Sequence, residues 1–165
     1  MQAIICDGKG SAEVLKVGSR PIPQPSEDEC LIKVEYTALN RADIMQRMGN
    51  YPPPPGVTDV LGLECLGRLV TNPAQAGTEE ETLSDHRVIA LLPGGGYAQY
   101  AKVHKSHCLQ VPEDYEPEAA ASLMEVWCTA YQILFEVAYL KQGETVLVHA
   151  AASGVGTAMI QLAKQ

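Results

Sequence analysis

The spacing of apolar residues changes at Pro117, and that change limits the folds open to the chain. Before it, apolar residues alternate in short runs cut by glycine and proline. Cys30, Ile32, Val34, Tyr36 and Ala38 share one face of a run whose other face carries Lys33, Glu35 and Thr37. A spacing of two is the pattern of a half-buried strand, with Leu31 as the exception. Pro21, Pro23 and Pro25 keep the approach to it extended. Residues 3–6 form a brief apolar run, and 60–70 a second extended candidate in which Gly62 and Gly67 suggest bends or bulges. Residues 87–92 and 97–103 read as two strands around a Gly-Gly-Gly turn, Gly94 to Gly96. Residues 72–84, with Glu79, Glu80 and Glu81, read as a solvated loop.

After Pro117 the spacing becomes three and four: Ala120, Leu123, Met124, Trp127, Ala130, Tyr131, Leu134, Phe135 and Ala138. This predicts one long amphipathic helix. Pro117 suits its first turn, Glu116 and Glu118 sit at its positive end, and Gly143 stops it. A β-rich run, TVLVH over 145–149, then leads through a small-residue turn, 150–156, into a second helix over 157–164. Strand, turn and helix in that order open a parallel α/β sheet. The expected organisation is therefore a mostly β domain over 1–116, a connecting helix over 117–143, and the start of a second domain over 144–165.

Composition narrows the function classes. A chain of 165 residues, 46% hydrophobic, supports a buried core. Twenty acidic against 12 basic residues give a net charge of -8, which argues against a broad nucleic-acid face. An anionic cofactor is still allowed, because it needs only a local pocket of N–H donors. No apolar run approaches the roughly 18 residues of a membrane helix, and no signal-peptide core precedes residue 30. Five scattered cysteines, with no C-x-x-C pair, fit a reduced cytoplasmic protein better than a disulfide scaffold.

The turn H-A-A-A-S-G-V-G-T-A is the first candidate for chemistry. Small residues between a strand and a helix let backbone approach a pyrophosphate, which helix N–H groups then hold. The strict G-x-G-x-x-G is absent: Ala151, Ser153 and Gly156 occupy its three positions, with Gly154 between. By spacing, dinucleotide binding and a tight ligand-free turn both remain open.

Five segments together carry a family resemblance: ALNRADIMQRMGNYPPPPG, LGLECLG, ALLPGGGYAQY, EVWCTAYQIL and VLVHAAASGVGTAMIQLAK. The chain resembles the zinc-free, zeta-crystallin-like quinone oxidoreductases of the medium-chain dehydrogenase/reductase superfamily. The resemblance implies a GroES-like, partly open β-barrel followed by the first β–α unit of a Rossmann domain, with NADPH as cofactor. It implies hydride transfer to a quinone or another conjugated carbonyl, in a homo-oligomer at full length; no nucleic-acid or membrane partner is expected, on the charge and the short apolar runs. The alternative is a non-catalytic binding or structural member of the same fold. Family proteins are about twice this length, so these 165 residues alone are expected to be inactive.

The resemblance also assigns residues. Zinc-dependent relatives carry ligands at the positions of Asn40, Leu63 and Glu125, where only Glu125 could ligate here; no metal site is expected, since catalytic zinc takes three protein ligands. Asn40 and Tyr51 are the candidate catalytic residues, with Asn40 also touching the cofactor. Asn40 equally suits the N-cap of a helix over 41–48, with Asp43 as capping-box acid. Tyr51, before the stiff run Pro52 to Pro55, equally suits packing. Thr129 is expected at the nicotinamide carboxamide, and Ser153, Gly154, Val155 and Gly156 at the pyrophosphate. His104, His107 and Cys108 form a compact group without a suitably spaced fourth ligand. Asp85 and His86 depart from the family's Gly-Asp, away from every assigned residue.

Overall fold

All seven strands form in the stretch whose apolar residues alternate. They are β1 (Gln2–Cys6), β2 (Leu15–Ser19), β3 (Glu29–Thr37), β4 (Glu64–Val70), β5 (Leu83–Leu91), β6 (Tyr100–His104) and β7 (Cys108–Gln110). The computed structural model describes Met1–Gln165, which divide into two units, Met1–Ser122 and Leu123–Gln165. In the first unit β1 and β2 pair antiparallel. The other five strands form an antiparallel sheet in the order β6-β3-β4-β5-β7. The two outer strands, β6 and β7, are joined only by a 3-10 turn, Lys105–His107. Three residues span too little distance to cross a flat five-stranded sheet. The sheet therefore rolls until its edges lie one turn apart, which gives the partly open barrel.

The inside of the roll is lined by Ile32, Cys65, Val88, Ala90, Leu92, Ala101 and Val103, with Cys30, Val34, Leu69 and Cys108 packed on them. Leu31 faces the opposite side of β3 and is buried there with Val70 and Tyr100. That second cluster explains the one break in the alternation. Gly67 lies opposite Val34, where the β3–β4 register shifts. A Cβ there would sit 2.1 Å from the Lys33 carbonyl oxygen.

Part of the expected solvated loop is pinned to the barrel. Glu81 Oε1 accepts from Tyr100 OH at 2.6 Å and from Gly77 N–H at 3.0 Å, and Lys33 pairs with Oε2. Burial pushes the Glu81 carboxyl up, but these three donors together hold it below its ordinary range.

After Pro117 two expectations fail. The helix predicted over 117–143 is three pieces: α2 (Pro117–Ala120), α3 (Met124–Tyr131) and a π-helical segment, Gln132–Val137. Ser122 ends the first piece by turning both its N–H and its hydroxyl onto the Ala119 carbonyl. The β-rich run over 145–149 is not a strand. A strand needs a ladder to satisfy its backbone, and no strand lies in the second unit. The last helix, α4 (Gly154–Leu162), starts three residues earlier than expected and packs against α3. No helix is long and apolar enough to cross a membrane.

Candidate active site

The short helix α1 (Arg41–Arg47) carries a buried, fully hydrogen-bonded acid. Asn40 is its N-cap, in extended backbone geometry. Asp43, at the third helical position, is 3% exposed. Its Oδ2 accepts from the Asn40 backbone N–H at 2.8 Å and from Tyr97 OH at 2.9 Å, while Oδ1 accepts from Gly62 N–H at 3.1 Å. Three donors make burial of this carboxylate tolerable. They also tie α1 to the loops before β4 and β6. Burial raises the Tyr97 phenol, and its bond to Asp43 raises it further, so Tyr97 stays protonated and donates. Gly62 is required where these loops meet: its φ is 102°, and a Cβ there would lie 2.6 Å from Gly96 Cα.

Glu64, 1% exposed at the start of β4, holds the Asn40 side chain. Asn40 Nδ2 donates to Glu64 Oε1 at 2.7 Å. An ionised carboxylate only accepts, so this bond fixes which end of the amide is NH₂. One N–H is committed to Glu64, and the other N–H remains for a ligand. Thr37 OH donates to the Glu64 carbonyl at 2.7 Å, holding the β3 end against the same strand. Leu63, before β4, is a buried apolar side chain. Tyr51 follows the positive-φ turn at Gly49 and is 51% exposed. No hydrogen bond joins it to Asn40.

In the second unit, Thr129 lies on α3 and its hydroxyl donates to the Glu125 carbonyl at 2.8 Å. Its proton is thereby committed, which leaves the oxygen only as an acceptor. Ser153 caps α4: its Oγ accepts from Gly156 N–H at 3.0 Å. Gly156 is also the close-packing position, because a Cβ there would lie 2.5 Å from the Ala150 carbonyl oxygen. The Gly154 and Val155 N–H groups, at the first helical positions, have no acceptor within the helix. These donors, backed by residues that admit close backbone approach, fit an anionic phosphate. His104, His107 and Cys108 surround the 3-10 turn, where His104 Nδ1 bonds to Ser106. Nowhere do three His, Cys, Asp or Glu side chains gather as a metal site would require.

Glu64 and Tyr97 were not among the expected site residues. The one sequence signal for Glu64 is an acid inside the apolar run VLGLECLG, since an acid there is buried only with a partner. Tyr97 had none.

The rolled, partly open antiparallel barrel fits a GroES-like domain of the alcohol-dehydrogenase class. The alcohol dehydrogenase GroES-like domain family matches residues 26–113, and the chain belongs to it. The mouse synaptic vesicle membrane protein VAT-1 homolog-like is 33% identical over 98% of this chain and 38% of its own length. A probable quinone oxidoreductase of Schizosaccharomyces pombe is 34% identical over 93% of this chain and 45% of its own. The quinone oxidoreductase of Thermus thermophilus, solved also in complex with NADPH, superposes with a TM-score of 0.79 at 32% identity, over 99% of this chain and 49% of that one. The chain thus spans less than half the length of these relatives.

Proposed function

We propose that these residues belong to a zinc-independent oxidoreductase that uses NADPH to reduce quinones or related conjugated carbonyls. In this reading residues 1–116 are the catalytic domain, 117–143 the connection and 144–165 the first pyrophosphate turn. The protein would work in the cytoplasm, as a homo-oligomer.

The observation that carries the reading is the Asn40 amide, fixed by a buried Glu64 at 2.7 Å. A site without a Lewis acid needs preorganised donors to steady charge developing on a carbonyl oxygen. The second Asn40 N–H is such a donor, and Glu64 and Asp43 remove its freedom to turn away. Tyr51 OH is a second donor on the stiff proline loop. NADPH supplies the hydride when bound. Thr129 Oγ1 would accept from the carboxamide NH₂, and the Gly154 and Val155 N–H groups would hold the pyrophosphate. Ser153 and Gly156 shape that turn.

The test is quinone-dependent NADPH oxidation by the longest polypeptide carrying this sequence, with a conjugated enone as a second acceptor. Turnover with a quinone, falling at least tenfold in Asn40→Ala, supports the proposal. NADPH binding without turnover on either acceptor refutes it and assigns the chain to a non-catalytic member of the family.

A further inference from the structure

Two half-buried thiols meet at the seam of the rolled sheet. Cys30, near the start of β3, lies opposite Val103 of β6, and Cys108, the first residue of β7, lies opposite Ala90 of β5. Within the sheet β3 and β7 are separated by β4 and β5. The roll brings them together. The chain leaves Val103, beside Cys30, makes the single turn Lys105–His107, and enters β7 at Cys108. Both side chains point inward and pack on the same buried cluster. They interact side chain to side chain, while Cys30 Sγ lies 3.7 Å from the Val103 carbonyl oxygen.

We propose that Cys30 and Cys108 are a redox-modification site that closes into a reversible disulfide on reaction with hydrogen peroxide, locking the seam between the two edges of the barrel. The Cys30 thiolate attacks one peroxide oxygen; an S–O bond forms, the O–O bond breaks, and the departing hydroxide takes up the proton Cys30 released, giving water. The Cys108 sulfur then attacks the Cys30 sulfur. An S–S bond forms, the S–O bond breaks, and hydroxide leaves with the Cys108 proton as a second water. Two thiols lose two electrons in all, and the peroxide gains them.

Cys30 is the attacking sulfur in this proposal, because it is the one on which the Lys105 ammonium acts. The Cys108 thiol donates to it and holds it below the ordinary thiol range against burial, and the Lys105 ammonium acts in the same direction. Cys108 is pushed up by the same contact and by burial, which suits a resolving thiol. Cys65, wholly buried, is raised to about 12 by burial, and burial also raises Cys6. Cys128 lies in the second unit, on α3.

The experiment treats the 165-residue protein with stoichiometric hydrogen peroxide, alkylates it under denaturing conditions, and maps peptides without reduction. The expected result is a fall from the five alkylatable cysteines of the sequence to three, a linked peptide pair containing Cys30 and Cys108, and full recovery on adding a dithiol. In Cys108→Ser, Cys30 should instead be trapped as a sulfenic acid by a dimedone probe; Cys30→Ser should give no adduct at Cys108. A linked pair other than Cys30–Cys108 overturns the proposal, as does oxidation of other cysteines while both of these stay alkylatable. Mapping of the unsubstituted protein decides the matter even if neither variant folds.

Discussion

Asp43→Asn keeps the shape of the side chain and removes what makes it work. The carboxylate accepts from Asn40 N–H and Tyr97 OH on one oxygen and from Gly62 N–H on the other. The asparagine amide has one acceptor oxygen and one NH₂. With NH₂ toward Asn40 and Tyr97, the phenol can rotate to accept, but the Asn40 backbone N–H cannot. With NH₂ toward Gly62, that backbone N–H is stranded instead. Either way one backbone donor faces a donor, at about 1–3 kcal/mol, and the surviving bonds lose their charge assistance. The sum is about 2–4 kcal/mol, a large share of the 5–15 kcal/mol that typically holds a domain folded. With a urea m-value of about 2 kcal/mol per M, the midpoint should fall by about 1–2 M. Tyr97→Phe removes only one donor and should cost about 1–2 kcal/mol. The double variant should cost less than the sum, because both changes act through one carboxylate. Urea titrations followed by far-ultraviolet circular dichroism measure all three. A midpoint shift below about 0.3 M for Asp43→Asn would show that the buried carboxylate does not organise this site.

Other outcomes follow from the same geometry. Gly156→Ala should cost about 1–3 kcal/mol, because its Cβ would lie 2.5 Å from the Ala150 carbonyl oxygen; an unchanged unfolding midpoint would contradict it. On the proposed function, Tyr51→Phe in the longer polypeptide should lower quinone turnover by about tenfold, or about 1.4 kcal/mol, with unfolding unchanged at this exposed position; wild-type turnover would reduce Tyr51 to packing. The Glu81–Lys33 pair should stabilise the fold only in a middle pH window. Glu81 is lowered on balance despite burial, so its contribution is present above the unfolded value of about 4.3 and is lost as pH falls through the folded one. Lys33 is raised by its bond to Glu81, so its contribution is present below about 10.4 and is lost as pH rises through its folded value. Glu81→Gln should therefore be less stable than the parent at pH 7 and equal to it in strong acid, as pH-resolved urea midpoints would report; a gap that persists in acid would assign Glu81 a purely steric role.

What the sequence determined by itself was local. Alternation set β3, the prolines marked its approach, Gly67 marked a bulge in the neighbouring strand, and the small-residue turn announced a helix after it, though three residues later than the observed start at Gly154. Asn40 followed by Asp43 announced a capped α1, because a cap is a contact between residues three apart. Leu31 broke the alternation, and only the second cluster with Val70 and Tyr100 explains why. Tertiary structure decided everything that joins distant segments. It set the strand order, the meeting of β6 and β7 across one turn, the grip of Glu64 on Asn40, and the capture of Glu81 by Lys33 and Tyr100. It also decided against two local signals. The TVLVH run has strong β character but no neighbour to bond, and the long helical period is cut at Ser122, whose hydroxyl bonds back to Ala119. Periodicity records which face of an element is apolar; it does not say what lies against that face, and a strand or a buried carboxylate exists only through what lies against it.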